Sequence, residues 1–132
     1  MDSLLEKVRR ARRVYIIGNG GSFANAMHIQ NDLEARGIRA HTLNPASLTA
    51  TANDQDYAYI FSRWILLHGE RGDLLIALSG SGKSKNILNA IEAAGLIGMD
   101  VHKVFGAELG QDMQSAEEHQ IVVGHEIYKA LK

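Results

Sequence analysis

The sequence predicts an α/β fold: a doubly wound, five-stranded parallel sheet flanked by helices. Three observations predict it. Short, continuous apolar runs such as Val14-Tyr15-Ile16-Ile17 and Leu74-Leu75-Ile76-Ala77-Leu78 fit strands buried on both faces. Segments with helical spacing of apolar residues separate them, so strands and helices alternate. Glycine- and serine-rich clusters stand where a strand hands over to a helix, and thirteen glycines against one proline suit a chain of tight strand–helix turns.

The elements follow in order. Ser3 to Ala11 reads as a short helix with Leu4, Leu5 and Val8 on its apolar side. Arg13 to Ile17 is the first strand. Ser22 to Arg36 is helical, with Phe23, Met27 and Leu33 as buried candidates and Gly37 as its stop. Ile38 to Leu43 is a less apolar strand, suited to an edge. Asn44 to Asn53 is a loop with the single proline and a short helix from Pro45 to Ala52. Asp56 to His68 is a longer helix carrying Tyr59, Ile60, Trp64 and Leu67. Asp73 to Leu78 is the central strand, and Lys83 to Gly95 the next helix, with Ile87, Leu88 and Ile91 inward. Asp100 to Phe105 and His119 to Val123 read as two more strands. A helix from Leu109 to Ala116 lies between them, and Glu126 to Leu131 begins a last helix.

The 132 residues form one domain, large enough for a real core. Hydrophobic content of 45% with 22% charged residues is that of a soluble globular protein. A formal charge of −1 gives no electrostatic case for nucleic acid or a membrane surface as a partner. Lys7 to Arg13 holds five cations in seven residues, and reads as a solvated helix face. There is no cysteine, which excludes disulfide and thiolate chemistry and fits the cytoplasm. No apolar run approaches the ~20 residues of a membrane span.

Two loops carry the chemistry. Gly18-Asn19-Gly20-Gly21-Ser22 follows the first strand, and Ser79-Gly80-Ser81-Gly82-Lys83-Ser84 the central one. Helix N-termini attract anions, glycines admit close approach, and serines add donors without bulk. The first loop is either a tight turn or a phosphate or sugar-hydroxyl cradle; position 23 is Phe, so it is no dinucleotide fingerprint. The second shares Gly82-Lys83-Ser84 with a P-loop, but position 77 is Ala, which speaks against nucleotide hydrolysis. A strand end needs no three serines for structure, so Ser79, Ser81 and Ser84 read as a monophosphate cradle. Both loops at the carboxyl ends of parallel strands suggest a phosphorylated small molecule.

His28 and Asp32, four residues apart, share a helix face one to two turns from Ser22. The pair is either an ordinary surface contact or an acid/base pair with the histidine as an alternative metal ligand. Asn53-Asp54 reads as a helix cap or a site element. His125 and Glu126 follow the last predicted strand at its carboxyl end. His41, His68, His102 and His119 read as structural.

These residues together resemble the SIS (sugar isomerase) domain family, a flavodoxin-like fold, and most closely its phosphoheptose (sedoheptulose-7-phosphate) isomerase branch. The likeness runs from about Val14 to Val123. It rests on Gly18-Asn19-Gly20-Gly21-Ser22 followed by Ala26-Met27-His28 and an acid at 32. It rests also on Asn53-Asp54 with Ile60-Phe61-Ser62-Arg63, and on Ser79-Gly80-Ser81-Gly82-Lys83-Ser84-Lys85-Asn86 as an S-x-S-G-x-S-x-N phosphate loop. The resemblance implies that Ser22, Ser79, Gly80, Ser81 and Ser84 hold the phosphate, and that Asn19, Gly20, Asn53 and Asp54 line the sugar. It implies a zinc ion on His28, Asp32 and His125, with Asp32 as the base of a ketose–aldose isomerisation through an enediol and His28 beside it. It further implies a cytoplasmic homo-oligomer, dimer or tetramer, supplying heptose for lipopolysaccharide or capsule. The family's acid is a Glu where this chain has Asp32. The resemblance sets His125 near a glutamine ligand of the family's last helix, with the family's histidine just past Lys132, and the whole as one domain over 1–132 with shortened terminal helices. A non-catalytic SIS module, binding a sugar phosphate or a partner, is the alternative; an amino-sugar phosphate isomerase fits less well, because such chains pair two SIS domains.

Overall fold

The structure, a computed structural model, describes residues 3–132. Its elements are α1 (Leu4–Arg10), β1 (Val14–Ile17), α2 (Gly21–Ala35), β2 (Ala40–His41), α3 (Pro45–Asp54), α4 (Ile60–His68), β3 (Leu74–Ser79), α5 (Lys85–Ile97), β4 (Asp100–Phe105) and α6 (Met113–Ala130). Single 3-10 turns at Tyr57–Tyr59 and Gly106–Leu109 precede α4 and α6. The strands form one parallel sheet in the order β2-β1-β3-β4. Val14 pairs with Leu74 and Ile17 with Ala77; Leu74 pairs with Asp100 and Ser79 with Phe105.

Alternation along the strands divides the core in two. Val14, Ile16, Leu74, Ile76 and Leu78 face α1, α2 and α6, and pack with Val8, Ala26, Ile29 and Leu33. Tyr15, Ile17, Leu75 and Ala77 face α4 and α5, and pack with Ile60, Phe61, Ile65, Ile87 and Ala90. The sheet is therefore covered on both sides, and every residue of β1 and β3 is buried. α2 leaves β1 toward one face and α5 leaves β3 toward the other. The crevice between these adjacent strand ends is where such folds bind ligands.

Among the described residues the sheet has four strands, not five. Residues 119–123, expected as a strand, lie inside α6. Of the helices expected at 109–116 and 126–131, residues 113–116 and 126–130 belong to that same helix, while 109–112 lie in the 3-10 turn and the loop before α6. Ile121-Val122-Val123 has strand propensity, but that is a weak preference that context overrides. The small or polar residues Ala116, Gln120 and Gly124 recur every four positions and are the ones α6 buries. Asp112 starts the helix by accepting from Ser115 N at 2.8 Å.

Smaller differences have equally local causes. β2 shrinks to two residues at the sheet edge, and the Thr42 hydroxyl extends its contact by donating to Ile16 O at 2.8 Å. Asp56 caps the 3-10 turn through Ala58 N, so the helix expected from position 56 becomes that turn followed by α4. Met27 and Leu88, expected inside, are exposed, because α2 and α5 turn other residues to the sheet; Tyr59 and Leu67 are exposed as well. Gly37 does end α2, with φ +80°. The basic stretch is spent largely within the molecule. Lys7 donates to Val101 O, Arg9 to Ala130 O, Arg10 pairs with Asp100 and Arg12 with Glu70. Among the described residues, no helix is long and apolar enough to cross a membrane.

Candidate functional site

The serine loop is shaped by its own side chains. Ser79 Oγ accepts from Gly82 N at 2.9 Å and Ser81 Oγ from Lys83 N at 3.1 Å. Two of the three serines thus do have a structural task, contrary to expectation: they fold the loop. Each keeps its O–H as a donor. Ser84 is the N-cap residue of α5 but makes no side-chain cap bond, so its hydroxyl is not spent on the helix. The first N–H groups of α5 stand beside it, unpaired as at any helix start. Ser79, Gly80, Ser81 and Ser84 line one small cavity together with Asn19, Ser22 and Met113. Both sequence motifs therefore meet in one cradle with only neutral donors and a helix terminus around it, an arrangement suited to an anion.

The first loop is held from behind. Gly20 is the N-cap of α2 at φ +56°, a conformation that favours glycine. A Cβ on Gly21 would meet the Glu117 carboxylate, the movable end of an α6 side chain that reaches the start of α2. Buried Ser22 accepts from Gln120 Nε2 at 3.0 Å, and Gln120 Oε1 accepts from Asn25 at 2.8 Å. Asn25 also donates to Glu117 O at 2.9 Å. Sequence reading missed Gln120 and Glu117. Their signal was the four-residue recurrence of α6, hidden by assigning the segment to a strand.

The same seam builds the second half of the site. α6 begins at Met113, so His125 lies well inside a helix rather than at its start. Its Nε2 stands 3.3 Å from His28 Nε2, and Asp32 Oδ2 stands 3.3 Å from the same His28 nitrogen. The ligand atoms of His28, Asp32 and His125 all lie within 4.8 Å of one another. His28 is about half exposed, at 51%, whereas Asp32 is 17% exposed. Asp32 Oδ2 is buried without a hydrogen-bond partner; its approach to His28 is at ion-pair distance only. Two imidazole nitrogens and an orphaned carboxylate oxygen converging on one point form the N/N/O donor set that suits a divalent ion such as zinc and leaves a coordination position open. The residues fit a metal.

The other expected residues are placed as follows. Asn19 lines the cradle and also the neighbouring cleft with Phe23, Pro45, Leu48 and Tyr57. Gly20 lines that cleft as well. Asn53 and Asp54 are exposed at the end of α3, with Asn53 Nδ2 donating to Asp54 Oδ1 at 3.0 Å, and they line neither space. They cap no helix either, since Asp56 does that.

Comparison with known proteins agrees with this fold. A family model described as SIS domain matches residues 1–106. A phosphoheptose isomerase of Rhodospirillum rubrum is 43% identical over 112 residues, which cover 79% of this chain and 60% of that protein. One from Aeromonas salmonicida is 37% identical over 129 residues, covering 92% of this chain and 67% of that protein. The chain thus spans about three fifths to two thirds of the length of the curated relatives it matches. Among solved structures, a phosphoheptose isomerase from Neisseria gonorrhoeae superposes with a TM-score of 0.87 at 24% identity, covering 97% of this chain and 80% of that one. The Vibrio vulnificus NanR protein complexed with ManNAc-6P superposes at 0.67 with 19% identity, over 97% of this chain and 51% of that one. These two likenesses speak for the fold.

Proposed function

The chain belongs to the SIS domain family, and from that premise we propose that it isomerises a sugar phosphate, interconverting the ketose sedoheptulose 7-phosphate and its aldose. The observation that carries the reading is that one helix, α2, presents both halves of a site. Ser22 stands at its start beside the serine cradle, and His28 and Asp32 follow six and ten residues later. At about 1.5 Å per residue, His28 lies roughly 9 Å along α2 from Ser22. That separation matches a chain-like sugar with a phosphate at one end and its carbonyl at the other; Asp32, roughly 15 Å along α2 from Ser22, reaches the carbonyl end from beyond His28.

In this reading the hydroxyls of Ser79, Ser81 and Ser84, with the N-terminus of α5, bind the phosphate. Ser22 and Asn19 orient the chain between cradle and triad. Asp32 removes the proton from C1 of the ketose and returns it to C2, through an enediol. His28, Asp32 and His125 would hold a zinc ion, which when bound supplies Lewis-acid polarisation of the sugar oxygens. Asp32 has the two carboxylate oxygens that a ligand and a base each require. As Asp rather than Glu it is one methylene shorter, which asks for a closer approach by the sugar. A homo-oligomer in the cytoplasm, serving heptose supply for a surface polysaccharide, is the context the family suggests.

The test is proton NMR of the pure protein with sedoheptulose 7-phosphate in D₂O, with and without zinc. Aldose signals carrying deuterium at C2 support the isomerase. Ligand line-broadening without turnover favours the second reading, a sugar-phosphate-binding module; the half-exposed His28 is the observation on its side. No interaction of any kind refutes both.

A further inference from the structure

The Asn19 side chain is tied more firmly than a loop residue requires. Its Nδ2 donates to Asn86 Oδ1 at 2.9 Å, and its Oδ1 accepts from Asn86 Nδ2 at 2.9 Å. The same Oδ1 accepts from the Tyr57 hydroxyl at 2.9 Å. Three elements remote in sequence therefore converge on one carboxamide: the loop after β1, the first turn of α5, and the 3-10 turn before α4. Asn86 is 3% exposed. It gives α5 nothing an apolar residue would not: the N-cap position belongs to Ser84, and asparagine is a poor residue within a helix. Its buried amide is satisfied by Asn19, so each of the two asparagines accounts for the other.

We propose that Asn86 and Tyr57 are positioning residues, which hold the Asn19 carboxamide and lock the loop after β1 against the serine loop. The inference rests on the sugar-phosphate reading given above. Asn19 stands on the wall shared by the cradle and the cleft beside it, so a phosphorylated ligand leaving the cradle passes it. With both lone pairs of Oδ1 taken and one Nδ2 proton committed to Asn86, Asn19 offers the ligand a single N–H. The sugar atom it meets is an acceptor, a hydroxyl or carbonyl oxygen. Clamping sets the direction of that donor before the ligand arrives, so no ordering cost is added on binding. Tyr57 is half exposed and Asn86 buried; one closes the clamp from outside, the other from within.

The experiment compares Tyr57→Phe and Asn86→Ala with the unaltered chain. The readouts are affinity for inorganic phosphate, affinity for sedoheptulose 7-phosphate, thermal melting, and the side-chain amide signals of Asn19 by NMR. Tyr57→Phe removes only a hydroxyl from a half-exposed ring and leaves the fold intact. It is expected to weaken sedoheptulose 7-phosphate binding by about threefold to tenfold, the effect of one hydrogen bond, and Asn86→Ala by more. Inorganic phosphate, which needs only the serine cradle, is expected to bind nearly as before, while the Asn19 amide protons exchange faster with water. Equal weakening of both ligands, tracking a lower melting temperature, assigns the pair a purely structural role and overturns the inference. Unaltered sugar-phosphate affinity in both variants also overturns it. If the unaltered chain binds neither ligand, the functional reading itself falls and takes the inference with it; binding by that chain with indifferent variants sinks the inference alone.

Discussion

Replacing Gly124 by Ala tests whether the α2–α6 seam sets the geometry of the His28, Asp32 and His125 triad. A Cβ at position 124 would lie 2.7 Å from Ile29 Cγ1 and 3.3 Å from its Cδ1. Carbon atoms prefer at least ~3.5 Å, so the helices must part by about 0.8 Å or Ile29 must leave its place. Ile29 is 5% exposed and packed in the core, which leaves it little room. Ile29 and Gly124 are the chain neighbours of His28 and His125, so the separation passes directly to the two imidazoles, now 3.3 Å apart. Overpacking costs about 1–3 kcal/mol. Ala returns about 1 kcal/mol over Gly in a helix. The net loss of stability is therefore small, roughly 0–2 kcal/mol from those two terms. Metal affinity is expected to drop much further in proportion, about 10–100-fold, as when the supports of metal ligands are disturbed. Zinc titration against a chromophoric chelator, with thermal melts of the same samples, measures both. A Gly124→Ala protein that binds zinc within twofold of the original and melts at the same or a higher temperature would refute the reasoning.

Other perturbations separate the roles of neighbouring groups. Ser84→Ala removes a hydroxyl that caps nothing, so calorimetry should find weaker inorganic phosphate binding, by about tenfold for a charged hydrogen bond, with unchanged melting; an unaltered phosphate affinity removes Ser84 from the cradle. Ser79→Ala should lower both, because its Oγ also holds the loop through Gly82 N. Asp32→Asn should abolish turnover of sedoheptulose 7-phosphate and leave phosphate binding intact; persisting turnover would dismiss it as the base. Burial, and secondly the Lys7 ammonium 3.4 Å from Nδ1, hold the His102 imidazole below its ordinary 6.5. The folded chain then takes up a proton less readily than the unfolded chain, so the stability linked to His102 is present above pH 6.5 and is lost as pH falls through its lowered folded value. Urea titrations across that range should show a declining midpoint, less steep in His102→Gln; an identical slope in the variant would count against the assignment.

Much of the site could be read before the structure, because it is written in local code. Glycines and serines immediately after an apolar run announce a strand-to-helix loop, and two such loops in a parallel sheet meet by topology alone. His28 and Asp32 share a face by helical spacing. Those inferences need only short-range geometry, and Ser79, Ser81, Ser84 and Ser22 do line one cavity. Asn53 and Asp54 show the limit of the same method. They end α3 exposed and line neither cavity of this chain, a placement that local pattern does not give.

What only the tertiary structure decided are the partners that different helices bring to one another. Ile121-Val122-Val123 carries a strand's composition, and the four-residue recurrence of Ala116, Gln120 and Gly124 does not by itself reveal that this face packs on α2. Once it does, His125 reaches His28 across 97 positions, Gln120 reaches Ser22 across 98, and Asn86 closes on Asn19 across 67. The amino-acid sequence by itself determined the alternating fold, the two strand-to-helix loops and the shared face of His28 and Asp32, since each depends on residues a few positions apart. The approach of His125 to His28, the hydrogen bonds on Asn19 and the absence of a fifth strand among the described residues came from packing, because they depend on which helix faces meet, and that is settled by the core as a whole.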